Sequence, residues 1–230
     1  MIVTIHQPDF LPWLGFFDRL HKCDLFIVLD DVQFLRRGWH HRDIIKTPNG
    51  IKWITVPVLK KGKYNQNINE VLIDNSKNWQ KKILGLISNS YQKAPNFVSV
   101  YESIVKIITK NHHKLINLNM DLIQYCADVL DIKKKIIFSS SFKTNLKATE
   151  KLVYLVKEVG GIAYLVGSGS RYYLDEDLFT IENIEVLWHN YDQHYYPQLH
   201  DENFIKMLSV LDFIMMVVYP NEVFLRKVNK

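Results

Sequence analysis

Residues 2–31, IVTIHQPDFLPWLGFFDRLHKCDLFIVLDD, decide the fold class. The β-branched run 2–5 predicts a buried strand. Pro8 ends it, because proline cannot donate a ladder hydrogen bond and restricts the residue before it. Apolar residues at near-helical spacing in 11–20 predict a helix, and the run 25–29 predicts a second buried strand. A strand, a helix and a parallel strand form a βαβ unit, so we expect a parallel sheet.

The middle of the chain has a different pattern. Residues 37–74 predict a hairpin region, with extended runs at 39–47 and 51–58 around the turn Pro48-Asn49-Gly50. We expect a third strand at 68–73. Residues 77–131 then predict helices throughout, with one break at Ala94-Pro95-Asn96 and another within 115–119.

The alternation of strands and helices resumes after residue 131. We expect strands at 136–138, 162–166 and 185–189, a helix at 149–159 that Gly160-Gly161 ends, and a closing helix at 203–218. The predicted fold is therefore α/β: a mainly parallel, Rossmann-like sheet with an inserted β-hairpin and helical segment. We expect residues 1–230 to form a single domain, in which 37–74 and 77–131 are inserted between two α/β halves.

Composition excludes several classes of protein. The chain has 230 residues, 47% of them hydrophobic, which is typical of a globular protein and excludes a disordered or collagen-like chain. Two cysteines are too few for a secreted disulfide framework, and no signal peptide is evident, so we expect a cytoplasmic protein. The apolar stretch 213–219 is too short to span a bilayer, so we expect no membrane partner. The net charge of +5 comes from scattered lysines, which makes a nucleic-acid partner an unfavoured interpretation.

Polar residues follow the predicted strands. In parallel sheets the ligand binds beyond the carboxyl ends of the strands. This rule predicts a binding edge, and its candidate residues are His6, Gln7, Asp9, Asp30 and Asp31.

The loop 167–171, Gly-Ser-Gly-Ser-Arg, follows another predicted strand. Its exposed amides, together with Ser168, Ser170 and Arg171, favour binding of a phosphate or carboxylate. It matches neither the P-loop nor the dinucleotide fingerprint.

A cationic and aromatic cluster lies between the second strand and the hairpin. Arg36, Arg42 and Lys46 would suit a nucleotide diphosphate, with Trp39 as a stacking plane. If 39–46 is extended, His40 and His41 point to opposite faces. The alternative is an ordinary solvated surface hairpin with Arg–Asp pairs.

Nine histidines raise the question of a metal, but neither HExxH nor a Cys/His spacing occurs, so we expect no metal site. Cys23 and Cys126 lie in apolar patterns, and we expect both to be buried packing residues. A histidine acting as a general base is favoured instead, because its ordinary pKa lies near neutrality. His200 and His6 are the candidates.

Several motifs resemble the WbqC-like family over nearly the whole chain. They are Gln7-Pro8-x-x-Leu11-Pro12-Trp13-Leu14-Gly15-Phe16-Phe17-Asp18, Leu29-Asp30-Asp31-Val32-Gln33-Phe34, Arg42-x-x-x-Lys46-Thr47-Pro48-Asn49-Gly50, Trp53-Ile54-Thr55-Val56-Pro57, Tyr164-Leu165-x-Gly167-Ser168-Gly169 and Tyr196-Pro197-Gln198-x-His200. The sequence departs from the family pattern at Asp43, where asparagine is expected, and at Lys206-Met207, where Pro-Asn is expected.

This resemblance implies a function. The family occurs in bacterial O-antigen and surface-polysaccharide gene sets, and its proposed role is transfer of glycine or a similar acyl group to an amino sugar. We therefore expect a cytoplasmic N-acyltransferase whose partners are a nucleotide-linked amino sugar and an acyl donor. The donor would be a thioester or an aminoacyl carrier, and no resident cofactor is firmly implied.

In this interpretation His200 or His6 is the base, and Asp31 orients the base or the ammonium group. Arg36, Arg42 and Lys46 hold the diphosphate, and the loop 167–171 holds the second anionic ligand. Gln7, Asp9, Asp30, Trp39 and Gln198 complete the predicted substrate-binding set.

Two alternatives remain open. The segment from His6 to the first helix is similar to the HxGH region of nucleotidylyltransferases and class I synthetases, although Trp13 and Gly15 stand where its histidine pair is expected. The first alternative is therefore an ATP-dependent nucleotidylyltransferase or ligase-like enzyme. The other alternative is a non-catalytic module that binds a nucleotide sugar; RNA is disfavoured because the RNP pattern is absent.

Overall fold

The structure is a computed structural model that describes residues 1–228, with side chains to residue 225. Its strands are β1 (Ile2–His6), β2 (Leu25–Val28), β3 (Arg42–Thr47), β4 (Gly50–Thr55), β5 (Lys135–Phe138), β6 (Ala163–Gly167) and β7 (Glu185–His189). Its helices are α1 (Leu14–Lys22), α2 (Trp79–Tyr91), α3 (Phe97–Ile108), α4 (Leu115–Val129), α5 (Ala148–Glu158), α6 (Glu176–Ile181), α7 (Val210–Met216) and α8 (Pro220–Val228).

The chain divides into two compact units, and each is built from three segments. Unit 1 consists of residues 1–7, 16–31 and 132–192, and unit 2 consists of residues 8–15, 32–131 and 193–230.

Unit 1 contains a five-stranded sheet in the order β5-β2-β1-β6-β7. Every neighbouring pair is parallel. The predicted α/β class with a parallel, Rossmann-like sheet and a separate hairpin is therefore confirmed. β1 lies at the point where the strand order reverses, with β2 on one side and β6 on the other. In open α/β sheets, ligands bind at the carboxyl edge of such a switch point.

The core of unit 1 explains why these segments become strands. β2 is buried at all of its four positions, and β1 is buried at its three central ones, as expected for strands covered on both faces. Helix α5 packs Val153 and Val156 into this core. Its C-terminus follows the predicted glycine cap: Gly160 has φ 72°, and the Gly161 amide donates to the Val156 carbonyl at 2.8 Å.

Unit 2 contains the antiparallel hairpin β3–β4 and the helices α2, α3, α4, α7 and α8. The hairpin turn forms at the predicted Pro48-Asn49-Gly50. Asn96 begins α3, and its Nδ2 donates to the carbonyls of Ile214 (3.0 Å) and Val217 (2.7 Å). These bonds hold the start of α3 to the end of the buried helix α7.

Some predicted elements are wrong, and local chemistry explains them. Residues 68–73 do not form a third strand: Ile68–Glu70 is a 3₁₀ turn that the capping box of Asn67 and Glu70 stabilises. The break between α3 and α4 lies at 109–114, before the predicted 115–119.

Two further predictions fail near predicted site residues. Trp39–His41 is a 3₁₀ turn, so the expected alternation of His40 and His41 on opposite strand faces does not occur. The closing helix does not begin at residue 203, because Met207 has φ 61° and Ser209 caps α7 instead. Helices α6 and α8 were not predicted.

Candidate functional site

The carboxyl edge of the sheet in unit 1 collects most of the polar residues that follow its strands. His6 ends β1, Asp30 and Asp31 follow β2, Gly167 ends β6, and His189 ends β7. Since adjacent strands lie about 4.8 Å apart, the ends of β2 and β6 are roughly 10 Å apart across β1. This spacing fits one small ligand at the switch point.

Asp30 and Asp31 organise the β5 side of this edge. The Asp30 carboxylate is buried and accepts from the Ser140 amide at 2.9 Å and the Ser140 hydroxyl at 2.7 Å. Asp31 pairs with the buried Lys151 ammonium at 2.6 Å and also accepts from the Ser139 hydroxyl. These contacts tie the ends of β2 and β5 together. They give Asp30 and Asp31 a structural role, and their predicted ligand contacts stay a prediction.

His6 has a defined orientation at the end of β1. Its Nδ1 lies 2.7 Å from the Gln7 carbonyl oxygen, and its ring meets Phe16 edge-on at 5.2 Å. Because a carbonyl only accepts, Nδ1 carries the proton and Nε2 holds the lone pair of the neutral ring. Nε2 is therefore the atom of His6 that could accept a proton from a substrate.

The loop after β6 forms a 3₁₀ turn at Ser168–Ser170. Ser170 and Tyr173 share a hydrogen bond of 2.8 Å, and the Arg171 guanidinium lies 4.7 Å from the centre of the Trp188 ring. Gly167 makes room for another cation, since a Cβ there would lie 2.7 Å from Nη1 of the buried Arg19. The loop therefore contains one arginine, Arg171, and a second, Arg19, lies beside its first residue.

A histidine–carboxylate dyad lies at the end of β7. His189 Nε2 donates to Asp18 Oδ2 at 2.5 Å, and both side chains are buried. Burial alone would raise the pKa of Asp18, but the hydrogen bonds from His189 and Lys22 outweigh it and lower that pKa. Asp18 is thus a carboxylate, and because it accepts from Nε2, a neutral His189 ring would have its lone pair on Nδ1.

The sequence interpretation did not include this dyad among the catalytic candidates. The position of His189 at the carboxyl end of a predicted strand was a usable signal, because ligands bind at that edge of a parallel sheet. Asp18, Arg19 and Lys151 gave no comparable signal, since each lies within an amphipathic helix pattern.

Unit 2 contains the other predicted site residues, beginning with Asp9. Asp9 accepts from His40 Nδ1 at 3.0 Å. The buried Asn119 donates from Nδ2 to the carbonyls of Pro8 and His40, at 2.7 Å each. His40 Nε2 and Asn119 Oδ1 are buried without a hydrogen-bond partner in the described structure.

Lys46 and His200 both bind within unit 2. The Lys46 ammonium, only 1% exposed, contacts Asp201 Oδ1 (2.9 Å) and the carbonyls of Asp201 (3.1 Å) and Asn203 (2.7 Å). An ammonium has three protons, so these contacts use all of them. His200 Nε2 donates to the Ser90 carbonyl at 2.8 Å. Lys46 therefore has no ammonium proton left for a ligand. The bond from His200 to the Ser90 carbonyl holds a loop, as the bond of a structural histidine would.

Gln198 also holds a loop. Its side-chain amide exchanges two hydrogen bonds of 2.9 Å with the backbone of Ile205. Its predicted substrate contact stays a prediction.

Arg36, Trp39 and Arg42 lie on a face of unit 2 that is rich in cations. Arg36 stacks on the Tyr64 ring at 4.1 Å and Arg42 on the Trp53 ring at 4.2 Å. The Trp39 and Trp53 rings lie 5.2 Å apart and are 44% and 45% exposed. These predicted residues thus come together, with Trp53 and Tyr64 as additional members.

The predicted site residues therefore fall into two groups. Unit 1 contains His6, Gln7, Asp30, Asp31, Ser168, Ser170 and Arg171, and unit 2 contains Asp9, Arg36, Trp39, Arg42, Lys46, Gln198 and His200. Among residues 1–228, no three His, Cys, Asp or Glu side chains are arranged to hold a metal ion. No helix in that range is long and apolar enough to cross a membrane.

The fold and this edge define an α/β protein with a five-stranded parallel sheet. Numbered in chain order, its strands run 3-2-1-4-5, and its carboxyl edge presents a histidine–carboxylate dyad and two arginines. The profile of the WbqC-like protein family matches residues 7–222, and the chain belongs to that family. It is similar to "Uncharacterized protein Rv1507c" of Mycobacterium tuberculosis, with 34% identity over 217 residues that cover 94% of this chain and 93% of that protein. No solved structure matches the chain.

Proposed function

We propose that this protein is an N-acyltransferase that moves an acyl group, glycyl or another aminoacyl group among them, onto the amine of a nucleotide-linked sugar. The observation that carries the proposal is the carboxyl edge of the sheet. There, His189 is oriented by Asp18 at 2.5 Å, and the loop 167–171 contains Arg171 and has Arg19 beside Gly167. Membership of the WbqC-like family supports a role in O-antigen or surface-polysaccharide synthesis.

The reaction requires a base. The amine nitrogen attacks the activated carbonyl carbon, the bond to the donor's leaving group breaks, and the nitrogen must lose a proton. His189 Nδ1 takes that proton in our proposal, and Asp18 stabilises the resulting imidazolium. His6 Nε2 is the alternative base at the same edge. His200 is less suited, because its Nε2 is already bound to the Ser90 carbonyl.

The two arginines give the edge its positive charge. Arg171 is exposed beside Trp188, and Arg19 is buried against Gly167. Guanidinium groups bind phosphate and carboxylate with paired hydrogen bonds and stabilise developing negative charge. We propose that they hold the anionic part of an acyl donor, either a thioester or an aminoacyl carrier, and favour the tetrahedral oxyanion.

The strand order also favours a second candidate function. A sheet with a central β1 and a phosphate-type loop after β6 suits nucleotidyl transfer, as the resemblance to the HxGH region implies. The dyad counts in favour of acyl transfer, because a nucleotidyl transfer depends mainly on positioning and on stabilising phosphate charge.

The two chemistries differ in their products. The protein would be incubated with a UDP- or dTDP-linked amino sugar and, in turn, with acetyl-CoA, a glycyl thioester or glycyl-tRNA. Mass spectrometry would then measure the mass of the nucleotide sugar. We expect the mass of one acyl group to be added to the sugar. Release of pyrophosphate from a nucleoside triphosphate, without acylation, would replace acyl transfer by nucleotidyl transfer. Binding without any turnover would leave a non-catalytic module.

A further inference from the structure

We infer that unit 2 carries a diphosphate-binding site formed by Arg36, Arg42 and Lys60, between the rings of Tyr64 and Trp53. Its ligand has a ring on each side of the diphosphate, as a nucleoside diphosphate sugar has. The inference rests on the proposed function in one respect: it assigns this ligand as the acceptor. It adds Lys60, Trp53 and Tyr64 to the residues predicted from the sequence, and it excludes Lys46.

Short contacts hold each of the three cationic side chains in place. Arg36 Nη2 donates to the Lys60 carbonyl at 2.9 Å, and the Lys60 ammonium lies 3.2 Å from Nε2 of the buried His41. Arg42 Nη2 donates to the Arg37 carbonyl at 2.6 Å. One hydrogen bond occupies a small part of a guanidinium, which has five N–H donors. Arg36 and Arg42 therefore retain donors for a phosphate.

Acidic residues are nearly absent from the segment that carries these cations. The only acidic residue between Val32 and Asn69 is Asp43, which is 2% exposed and whose pKa burial raises to about 8. Burial first, and then repulsion from Arg36, Arg42 and Lys77, lowers the pKa of Lys60. Like charges this close destabilise each other, and a bound anion would remove that cost.

The Arg42 guanidinium has a buried donor that no other group in the described structure accepts. Its Nε is buried and has no hydrogen-bond partner in the described structure. Buried donors are nearly always satisfied, and a missing ligand is one of the common reasons for an exception. A phosphate oxygen is the acceptor that guanidinium groups bind best.

The rings indicate what lies on either side of the phosphates. Tyr64 is 71% exposed next to Arg36, and Trp53 is 45% exposed next to Arg42. A nucleobase stacks on an aromatic ring, and the apolar face of a sugar can pack against one. The three cations can neutralise the two negative charges of a diphosphate diester, which favours a nucleoside diphosphate sugar over a longer polynucleotide.

Calorimetry on the full chain tests this site. The ligands would be UDP-glucosamine, a dTDP-linked amino sugar, uridine, free glucosamine and a 12-nucleotide single-stranded RNA. We expect one of the nucleotide sugars to bind, and we expect uridine and glucosamine, which lack phosphate, to fail. Lys60→Met and Arg36→Gln should each weaken binding about 10–100-fold, since a charge-assisted hydrogen bond contributes about 1.5–3 kcal/mol. Lys63→Met is the matched control, because Lys63 is exposed in the same loop.

Equal losses in Lys60→Met and Lys63→Met, at unchanged melting temperature, would overturn the site. RNA binding that neither nucleotide sugar displaces would do so too, and would make this face a polynucleotide surface. Arg36→Gln gives the same test if Lys60→Met does not fold. Lys60-dependent binding without acyl transfer would end the proposed function and keep the site. Acyl transfer at the wild-type rate in both Lys60→Met and Arg36→Gln would overturn the site and keep the proposed function.

Discussion

Asp43 is a buried carboxyl group in β3 that takes the place of the asparagine expected in the family pattern. Its Oδ1 accepts from the Ile44 amide at 2.6 Å. Burial, together with the charge of Asp9, raises the pKa of Asp43 to about 8 despite that hydrogen bond. At neutral pH the side chain is therefore mainly a neutral carboxylic acid, which has nearly the size and shape of a carboxamide.

This assignment predicts how stability changes with pH. In the unfolded chain Asp43 ionises near its ordinary pKa, while in the folded chain it keeps its proton up to about pH 8, so the free energy of unfolding falls as pH rises between those values. The pKa of His41 is lowered to about 4 by burial, and then by Lys60 and Arg42. His41 therefore has the opposite effect below about pH 6.5, where its unfolded form is protonated. Up to about pH 6.5, the effects of Asp43 and His41 on the free energy of unfolding therefore offset each other.

Asp43→Asn should therefore stabilise the protein most at alkaline pH. The wild type is expected to lose up to about 1.4 kcal/mol per pH unit between roughly pH 6.5 and 8 through this group. The variant should lack that decline. Urea unfolding at pH 5, 6, 7 and 8 measures it, and parallel curves for the two proteins would show that Asp43 is ionised in the folded state.

Single residues mark the limit of what the sequence could predict. The pattern located the cationic cluster at Arg36, Trp39 and Arg42, because charged and aromatic residues are concentrated there. It could not separate Lys46, which is buried against Asp201, from Lys60, which faces the two arginines. That distinction depends on tertiary contacts between distant segments.

At the scale of elements, two glycines with opposite surroundings make a matched pair. A Cβ on Gly161 would lie 2.7 Å from both Val3 Cγ2 and Val156 Cγ1, whereas a Cβ on Gly85 in α2 meets no atom within 4 Å. Gly161→Ala should destabilise the protein by about 1–3 kcal/mol through overpacking. Gly85→Ala should stabilise it by about 0.5–1 kcal/mol, because alanine favours a helix interior. Chemical denaturation measures both, and the same sign for the two variants would refute the packing described for α5 and β1.

Elements with strong local signals were predicted well. The β-branched run of β1, the buried run of β2 and the glycine cap of α5 each follow from local chemistry. The segment 203–209 was wrongly predicted as helix because its apolar spacing is suitable, but the positive φ of Met207 and the cap at Ser209 stop α7 from starting there. Such backbone choices are set by the surrounding fold.

At the scale of the whole molecule, unit 2 depends on the last part of the chain. The Ser209 hydroxyl donates to the Leu11 carbonyl at 2.9 Å, and the Tyr91 hydroxyl donates to Asp212 at 2.8 Å. Val210, Leu211 and Ile214 are fully buried. Removing them would expose the apolar surface that they cover.

A chain ending at Asp192 should therefore lose the native structure of unit 2. We expect the resonances of its buried methyl groups, such as those of Ile104 and Leu118, to lose their dispersion in a methyl NMR spectrum. A truncated chain ending at residue 225 is the control, because it keeps α7. A native-like spectrum for the shorter chain would show that α7 is dispensable.

The parallel sheet was predictable from the alternation of strands and helices, but its strand order was not. The order places β1 between β2 and β6, and β7 beside β6, which brings His189 to the same edge as His6. Strand order is a long-range property that one sequence does not encode in its local pattern. The sequence indicated His6 and His200 as candidate bases, and the structure showed how Asp18 orients His189.

The most direct test of the central claim is the pH dependence of acyl transfer in His189→Asn, compared with His113→Asn. His113 is exposed in unit 2 and serves as the matched control. If His189 is the base, its replacement should lower kcat by about 10²–10⁴-fold, remove the acid limb of the pH–rate profile and leave nucleotide-sugar affinity unchanged. Asp18→Asn should lower kcat in the same direction, because it favours the wrong tautomer. A folded His189→Asn protein with wild-type kcat and an unchanged pH profile would contradict the account.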